Sequence, residues 1–242
     1  MSLSHGSSII REGLVLHLDA ANPKSYPGSG TTWYDLSGNG NHGTLTNGPT
    51  FNSDNKGSIV FDGSDDSAYI TNNSLLNFGT QDFTVSFFLY VPSSNLNSQT
   101  EYGIINKNPH YQNNAGWGLE VSTWGKSPPY DLINAYFYNT GQTSWGDSNV
   151  NYFSLKSNVW NQITSIRALT NGKLYVNGIL VAEKTHNDIA LNVNNNNNII
   201  IANHAWGPNF KGNISQVQIY NRALSSQEIS QNFEATRGRY SI

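Results

Sequence analysis

The strongest fold signal in the chain is FKGNISQVQIYNRALSSQEI, residues 210–229. Its first half alternates apolar and polar residues, which is the pattern of a half-buried strand. In its second half, Leu224 and Ile229 have the spacing of a hydrophobic staple, and Ser225 with Glu228 has the spacing of a capping box. The stretch therefore predicts a strand that leads directly into a helix starting at Ser225, with Ile229 facing inward.

Other short motifs precede this segment along the chain. They are YDLSGNGNHG at 34–43, FDG at 61–63, FTVSF at 83–87, Trp160, and GKLYVNG at 172–178. In this order, and with the closing segment, they resemble the laminin G-like domains (type 3) of the concanavalin A-like lectin and glucanase superfamily. The residues QNFEATRGRY at 231–240 resemble the ends of such domains in phage virion and bacterial surface proteins. The resemblance covers residues 13–234 and implies a jelly-roll sandwich of two antiparallel sheets.

The residue pattern independently predicts an all-β chain with one short C-terminal helix. Period-two alternation runs through 83–91 and 117–121, and Asn177-Gly178 is a strong signal for a tight hairpin turn. Many short strands separated by Gly- and Asn-rich turns are typical of two sheets packed over one core. We expect residues 11–234 to form this single domain, 1–10 to be a tail or an expression remnant, and 235–242 to be a C-terminal tail.

Composition excludes several classes of function. Only 12% of the 242 residues are charged, the net charge is −3, and 13 Lys and Arg are too few for a phosphate-binding surface, so we expect no nucleic-acid partner. There is no cysteine and no apolar run of membrane-spanning length, so we expect no disulfide and no membrane insertion. No signal peptide is visible in this chain, and an extracellular, cell-surface or virion location would require another route.

Polysaccharide-cleaving enzymes on such a fold need two carboxylates about 5 Å apart in the retaining mechanism. The glutamates of this chain are scattered, and only Glu120 lies in a predicted strand where alternation turns it away from Leu119 and Val121. It has no apparent partner for general acid-base work. Serine-hydrolase, zinc and P-loop motifs are also absent. The sequence therefore predicts a protein that is not an enzyme.

An acidic cluster follows the FDG motif. Asp62, Asp65 and Asp66 belong to one short turn, and hard calcium ions favour several carboxylate oxygens from one loop. Relatives in the superfamily often carry calcium near one rim of the sandwich, so the resemblance makes these three residues the first candidates for calcium ligands. The alternative is a turn whose Asp side chains bond only to the local backbone.

Aromatic residues in predicted loops are the candidates for ligand contact, because a ring face can stack on the apolar face of a sugar. These ligand-binding candidates are Trp206 with Asn203 and His204, then Trp124, Trp145, Tyr111 and Tyr130. The alternative is that loop tryptophans only cover the ends of the sandwich. Trp117 and Trp160 fall in strand patterns and are expected to be structural.

Three further features have structural interpretations. Asp19 and Asp35 stand where the resembled family tends to have Asp, and we expect them to tie strand ends and turns. Residues 38–43 match the G-x-G-x-x-G pattern, but no helix follows, so they are interpreted as a turn-rich loop. The asparagine run 194–198 is predicted to be a solvated loop tip.

Two functions from different classes fit these observations. The first is a non-catalytic carbohydrate-recognition or adhesion module that binds a glycan or polysaccharide through loop aromatics and amide side chains. The alternative is a structural or decoration protein of a phage virion or cell surface, with virion or surface proteins as partners. Exposed strand faces, such as Phe88 and Tyr90, would favour that alternative by forming an oligomer interface. A glucanase- or lyase-type enzyme is a third hypothesis.

Overall fold

The structure is a computed structural model. It describes residues 8–93, 101–107, 115–122, 132–138, 149–152, 155–168, 171–185, 192–203 and 209–242. For residue 101 and for the strands at 132–138 and 149–152 it describes the backbone only.

Sixteen strands and one α-helix are present in the described part of the chain. The strands are β1 (Leu14–Asp19), β2 (Thr32–Trp33), β3 (Gly43–Thr46), β4 (Thr50–Asn52), β5 (Ser58–Asp62), β6 (Ser67–Ile70), β7 (Phe83–Tyr90), β8 (Glu101–Lys107), β9 (Gly116–Ser122), β10 (Leu132–Tyr138), β11 (Asn149–Tyr152), β12 (Trp160–Ala168), β13 (Asn171–Val176), β14 (Ile179–Thr185), β15 (Ile199–Ile201) and β16 (Lys211–Tyr220). The helix is α1 (Ser226–Thr236). The predicted hairpin at Asn177-Gly178 is confirmed, because both residues have positive φ and join the paired β13 and β14.

The described strands form two antiparallel sheets of eight strands each. Sheet A has the order β14-β13-β12-β7-β16-β5-β4, with β1 also paired to β16, and sheet B has the order β11-β10-β9-β8-β15-β6-β3-β2. Their facing sides enclose one apolar core that includes the large buried rings of Trp33, Phe61, Phe83, Phe87 and Trp117. The predicted two-sheet sandwich is confirmed, and Trp117 is structural as expected.

The closing strand β16 lies at the centre of sheet A. It pairs with β7 on one side, while on the other side residues 211–214 pair with β5 and residues 216–220 pair with β1. A bulge at Ser215 separates the two halves, and the Ser215 hydroxyl donates to the Gly57 carbonyl at 2.6 Å. This strand therefore joins the first and last parts of the chain in one sheet.

Helix α1 begins as the sequence predicts. The Ser225 hydroxyl accepts from the Glu228 backbone N–H at 3.3 Å, and the Ser225 N–H donates to the Glu228 carboxylate at 2.8 Å. Leu224 and Ile229 are both buried, in one cluster on the outer face of sheet A with Tyr220. Arg222 donates two hydrogen bonds to Glu228, which lower the pKa of that carboxyl to about 2.

Residues that follow α1 also pack on the outer face of sheet A. Tyr240 is 4% exposed, and its ring stacks on Phe88 with centroids 4.2 Å apart. Its hydroxyl donates to Ser215 at 2.9 Å, and Arg239 forms an ion pair with the buried Asp19 at 2.7 Å. Arg239 and Tyr240 therefore do not belong to a solvated tail, although the sequence shows no packing signal for them.

The same contacts correct the expectation of an exposed strand face in sheet A. Phe88 is fully buried and Tyr90 is half-buried, because Tyr240 and Phe233 cover this side of the sheet. Trp160 is structural as expected, but it packs here and not between the sheets. Phe88 therefore offers nothing to an oligomer interface.

Candidate functional site

The acidic cluster lies in the turn between β5 and β6. We call residues 62–66 the acidic turn. One carboxylate oxygen from each of Asp62, Asp65 and Asp66 lies within 4.8 Å of the others. Gly63 has φ +81°, and a Cβ at this position would lie 2.7 Å from the Lys211 Cβ on the neighbouring β16. Only glycine fits this position, so the turn is held closely against the closing strand.

Hydrogen bonds within the acidic turn use some of its carboxylate oxygens. Asp62 accepts from the Ser64 backbone N–H at 2.7 Å, and Asp66 accepts from the Asp62 backbone N–H at 2.9 Å. The bonds that the backbone-turn interpretation expects are therefore present. They engage one oxygen of Asp62 and one oxygen of Asp66, and a carboxylate has a second oxygen that can face a cation.

The three carboxyl groups differ in their surroundings. Asp66 is 4% exposed, and burial raises its pKa above that of an ordinary aspartate, with the negative charges of Asp62 and Asp65 adding to the effect. The pKa of the exposed Asp62 is lowered, chiefly by the N–H of Ser64. A buried carboxylate beside two others carries a negative charge that a bound cation would stabilise.

Two asparagines fix the acidic turn to its neighbours. Asn209 donates from its side chain to the Ser64 carbonyl at 2.9 Å, and Asn47 donates to the Asp65 carbonyl at 2.9 Å. Neither residue is among the site residues predicted from the sequence. Asn47 has the local signal of an Asn-Gly turn and a positive φ of 68°, whereas nothing in the sequence near Asn209 points to Ser64.

In the sequence, Asn209 comes at the end of the segment that starts at Asn203 and contains Trp206, the first of the predicted ligand-binding aromatics. Ala202 and Phe210 close the base of this segment through a backbone hydrogen bond of 3.2 Å. Ala202 is buried with a φ of +64°, a strained conformation for a residue with a side chain. The Asn203 carbonyl accepts from the side chain of the buried Asn106 at 2.9 Å. The structure therefore brings the acidic turn to the base of the segment that begins at Asn203.

The predicted ligand-binding residues are described only in part. Asn203 is half-buried at the position just given. The other candidates lie outside the described residues, so they stay predictions: Trp206, His204, Trp124, Trp145, Tyr111 and Tyr130.

Glu120 is the one glutamate that the sequence placed as a candidate for acid-base chemistry. Leu119 and Val121 face the core, so Glu120 points to the opposite side of β9 as the alternation predicts. It is only 1% exposed, however, and does not reach an open cleft. The three carboxylates of the acidic turn belong to a single turn and do not face one another across a cleft.

A buried lysine, Lys107, is the last residue of β8 in sheet B. Lys107 donates through its ammonium group to the Asn72 side chain at 2.7 Å, to the Leu76 carbonyl at 3.0 Å and to the Asn77 side chain. Burial lowers the pKa of this amine to about 8. Lys107 thereby holds the connection that follows β6 against the C-terminal end of β8.

Part of the asparagine run 194–198 is also hydrogen-bonded to this region. Asn195 donates to the Lys107 and Ala115 carbonyls at 2.9 and 2.7 Å, and Asn194 accepts from the Gly79 N–H at 2.6 Å. Most of the run is exposed, as a solvated loop predicts, but these two side chains anchor it. The asparagines here have a structural role that composition alone did not indicate.

Comparison with known proteins identifies the family. The family model described as the concanavalin A-like lectin/glucanases superfamily, laminin G type 3, matches residues 62–230, which is more than half of the chain. The chain therefore belongs to this laminin G-like family, as the sequence motifs predict.

Individual relatives include clostridial toxins. Paraclostridial mosquitocidal protein 1 of Paraclostridium bifermentans is 28% identical over 184 residues, which are 70% of this chain and 14% of that protein. The crystal structure of its binding domain matches 92% of this chain and 52% of its own, with a TM-score of 0.70 and 22% identity.

The botulinum neurotoxin serotype D ligand-binding domain, solved in complex with N-acetylneuraminic acid, matches 93% of this chain and 51% of its own. Its TM-score is 0.70 and its identity is 18%. The chain thus spans about half the length of these solved structures and a small part of the curated relative. Within the described residues, no helix has the length and apolar character needed to cross a membrane.

Proposed function

We propose that this chain is a non-catalytic module that recognises glycans and that its ligand is bound where the acidic turn meets the segment starting at Asn203. The observation that carries this proposal is the bond from Asn209 to Ser64, which joins the two features that the sequence predicted separately. Membership of a lectin-containing superfamily supports it. So does the shared fold with toxin binding domains, one of them solved with N-acetylneuraminic acid.

A non-catalytic role is supported by the carboxylates. Glu120 is buried, and the three carboxylates of the acidic turn all come from one short turn between β5 and β6. Retaining and inverting glycosidases instead place two carboxyl groups on opposite sides of the scissile bond. Release of reducing ends from a polysaccharide by the purified chain would overturn this part of the proposal.

We further propose that Asp62, Asp65 and Asp66 hold calcium. The donor set fits, because carboxylate oxygens are the ligands that calcium prefers, and one of the three side chains is buried with a raised pKa. A bound calcium ion would offer open coordination positions to the hydroxyl groups of a sugar. A location outside the cell, on a cell surface or a virion, follows from such a ligand and is part of the same proposal.

A glycan array tests this function. We expect binding in calcium that is lost in EDTA and weakened by Trp206→Ala and by Asp66→Asn, which keeps an oxygen that can accept from Asp62. Asp54→Asn, at an exposed aspartate between β4 and β5, is the matched control and should bind like the original chain. Loss of binding in Asp54→Asn to the same degree would show that the effect is not specific to the acidic turn.

Calcium binding has a readout that needs no glycan. If the acidic turn holds the ion, added calcium should raise the free energy of unfolding by about 1.4 kcal/mol for each tenfold excess over its Kd. Asp66→Asn should reduce this gain, and Asp54→Asn should preserve it. An unfolding midpoint that does not change with calcium would overturn the calcium proposal and leave the glycan proposal to the array.

The alternative role, as a structural or decoration protein, predicts a different result in the glycan array. A chain that binds no glycan in either buffer, and that associates with itself or with a particle, would favour a decoration role. Of the two residues that the sequence suggested for such an interface, Phe88 is buried and Tyr90 is half-buried.

A further inference from the structure

The outer face of sheet B presents a second set of polar and aromatic side chains near its β2 edge. Trp33, Leu45 and Ile70 face the core, so their neighbours along the strands point outward. Thr32, Thr44 and Tyr69 form one row across β2, β3 and β6, as their register shows. Tyr34 follows Trp33 and His42 precedes Gly43, so in this antiparallel pair they lie at the same end and continue the surface. We call these five outward residues the β2-edge face.

Two rings of the β2-edge face are already arranged for contact. Tyr34 is 44% exposed, and His42, also exposed, packs edge-to-face against it with centroids 5.4 Å apart at 70°. The His42 Nδ1 accepts from the Asp35 backbone N–H at 3.0 Å. An imidazole that accepts at Nδ1 carries its hydrogen on Nε2, so that nitrogen is available as a donor.

The backbone that carries these rings is held in place. Both backbone groups of Tyr34 bond to Ser25: the Tyr34 N–H donates to the Ser25 carbonyl at 2.7 Å, and the Tyr34 carbonyl accepts from the Ser25 hydroxyl. The buried Asp35 carboxylate accepts from the backbone N–H groups of His17, Ser37 and Asn41 at 2.8 to 3.0 Å. A ligand would therefore have little backbone to order on binding, which lowers the entropic cost.

The chemistry of the β2-edge face selects an uncharged polar ligand. None of its five members is an acid, a lysine or an arginine, so nothing here would pair with a carboxylate or an ammonium group. Tyrosine rings offer flat apolar surface, and the hydroxyl and imidazole groups offer both donors and acceptors.

We propose that the β2-edge face is a second binding site, specific for a neutral oligosaccharide that stacks on Tyr34 and Tyr69. The two tyrosines are separated by two strands and two residues along them, on the order of 12 Å between their backbones. This distance exceeds one sugar ring, so the ligand is a chain of sugars and not a single residue. His42 and Thr44 lie between the tyrosines and would bond its hydroxyl groups.

This site is separate from the acidic turn. The acidic turn precedes β6 at Ser67, whereas the ring pair of Tyr34 and His42 lies beside Gly43, which pairs with Ile70 at the opposite end of β6. Tyr69 lies between them, three residues after Asp66. The inference rests on the proposed function in that both assume glycan recognition, but it needs no calcium. The two sites can therefore fail independently.

Affinity electrophoresis in gels containing neutral glucans, mannans, galactans or xylans tests the inference, with sialyl-lactose competition as a separate arm. We expect retardation by at least one neutral polysaccharide in calcium and in EDTA alike. Tyr34→Ala and Tyr69→Ala should each weaken it about tenfold, equivalent to 1.4 kcal/mol. Tyr34→Phe should retain most of the affinity because it keeps the ring. Leu180→Ala, at an exposed leucine of sheet A, is the control.

Each outcome decides between the two sites. Retardation that is abolished by EDTA or by Asp66→Asn, and unaffected by Tyr34→Ala and Tyr69→Ala, would overturn the inference and support the acidic-turn site. Displacement by sialyl-lactose would overturn the requirement for a neutral ligand. Absence of retardation by all four classes of polysaccharide would overturn the inference, and the glycan array would then decide the proposed function.

Discussion

The outer faces of the two sheets carry similar side chains in opposite environments. On sheet A, Phe88 and Trp160 are covered by Tyr240, which follows the last helix. On sheet B, Tyr34 and His42 pack against each other and remain exposed. The comparison shows that an aromatic residue on an outward strand position is structural or available for a ligand according to whether the chain returns to cover it.

The covering segment of sheet A does more than exclude water. Arg239 pairs with Asp19 and Tyr240 bonds to Ser215, so polar contacts fix the segment at defined positions on β1 and β16. No equivalent covering segment lies over Tyr34 among the described residues, since this side chain is 44% exposed. Substitutions on sheet A should therefore reduce stability, and those on the β2-edge face should reduce binding.

The largest effect should come from the covered face. Phe88→Ala removes a fully buried ring that stacks on Tyr240 and should lower the free energy of unfolding by about 3–5 kcal/mol. Urea denaturation followed by tryptophan fluorescence measures this loss. Ile179→Ala, at an exposed position of the same sheet, is the control. If Phe88→Ala lost no more stability than Ile179→Ala, the outer face of sheet A would not be covered in solution.

A smaller loss of stability should follow when the ion pair between Arg239 and Asp19 is removed. Arg239→Ala leaves the buried Asp19 carboxylate without its guanidinium partner and should cost about 2–3 kcal/mol. Adding Asp19→Asn to Arg239→Ala should recover part of the loss, because the uncompensated charge is then gone. A double-mutant cycle measures this coupling, and strictly additive losses would contradict it.

Lys107 provides a prediction for sheet B that depends on pH. Its pKa is about 8 in the fold, against 10.5 for an ordinary lysine, so the folded state loses this proton first as the pH rises. Between these values the unfolded chain binds more protons, and the free energy of unfolding should rise with pH. The expected gain is about 1–2 kcal/mol from pH 8 to 9.5. Lys107→Met should remove this slope, and the same slope in both proteins would assign it to another group.

The smallest effect on stability should come from the open face. Tyr34→Ala removes a ring of the same class as Phe88, but from an exposed position, and should change the free energy of unfolding by about 0.5 kcal/mol or less. The same urea titration measures it beside Phe88→Ala. A loss above about 2 kcal/mol would show that Tyr34 is a structural residue and would remove the contrast between the two faces.

Local signals in the sequence were sufficient for many elements. The capping box at Ser225, the hairpin at Asn177-Gly178 and the alternation in β7 all involve residues close together in the chain. Asp35 ties a turn as predicted, because most of its hydrogen bonds are made within the same short loop. The acidic turn could also be predicted, since its three carboxylates come from five consecutive residues.

Contacts between distant parts of the chain could not be predicted in this way. Arg239 and Asp19 are 220 residues apart, and Asn209 and Ser64 are 145 residues apart. Alternation along β7 predicts that Phe88 points out of the core, but it does not tell whether a later part of the chain covers it.

Signals between neighbouring residues were enough to predict the family, the two-sheet sandwich and the position of the acidic turn, because turns, caps and strand periodicity are local properties of a chain. Only the packing of distant segments buries Phe88, joins the acidic turn to the segment starting at Asn203, and brings Tyr34 against His42 on an open face. Those outcomes depend on the order of the strands in each sheet and on the return of the C-terminal residues over sheet A, since burial is fixed by what packs against a side chain and not by its place in a strand.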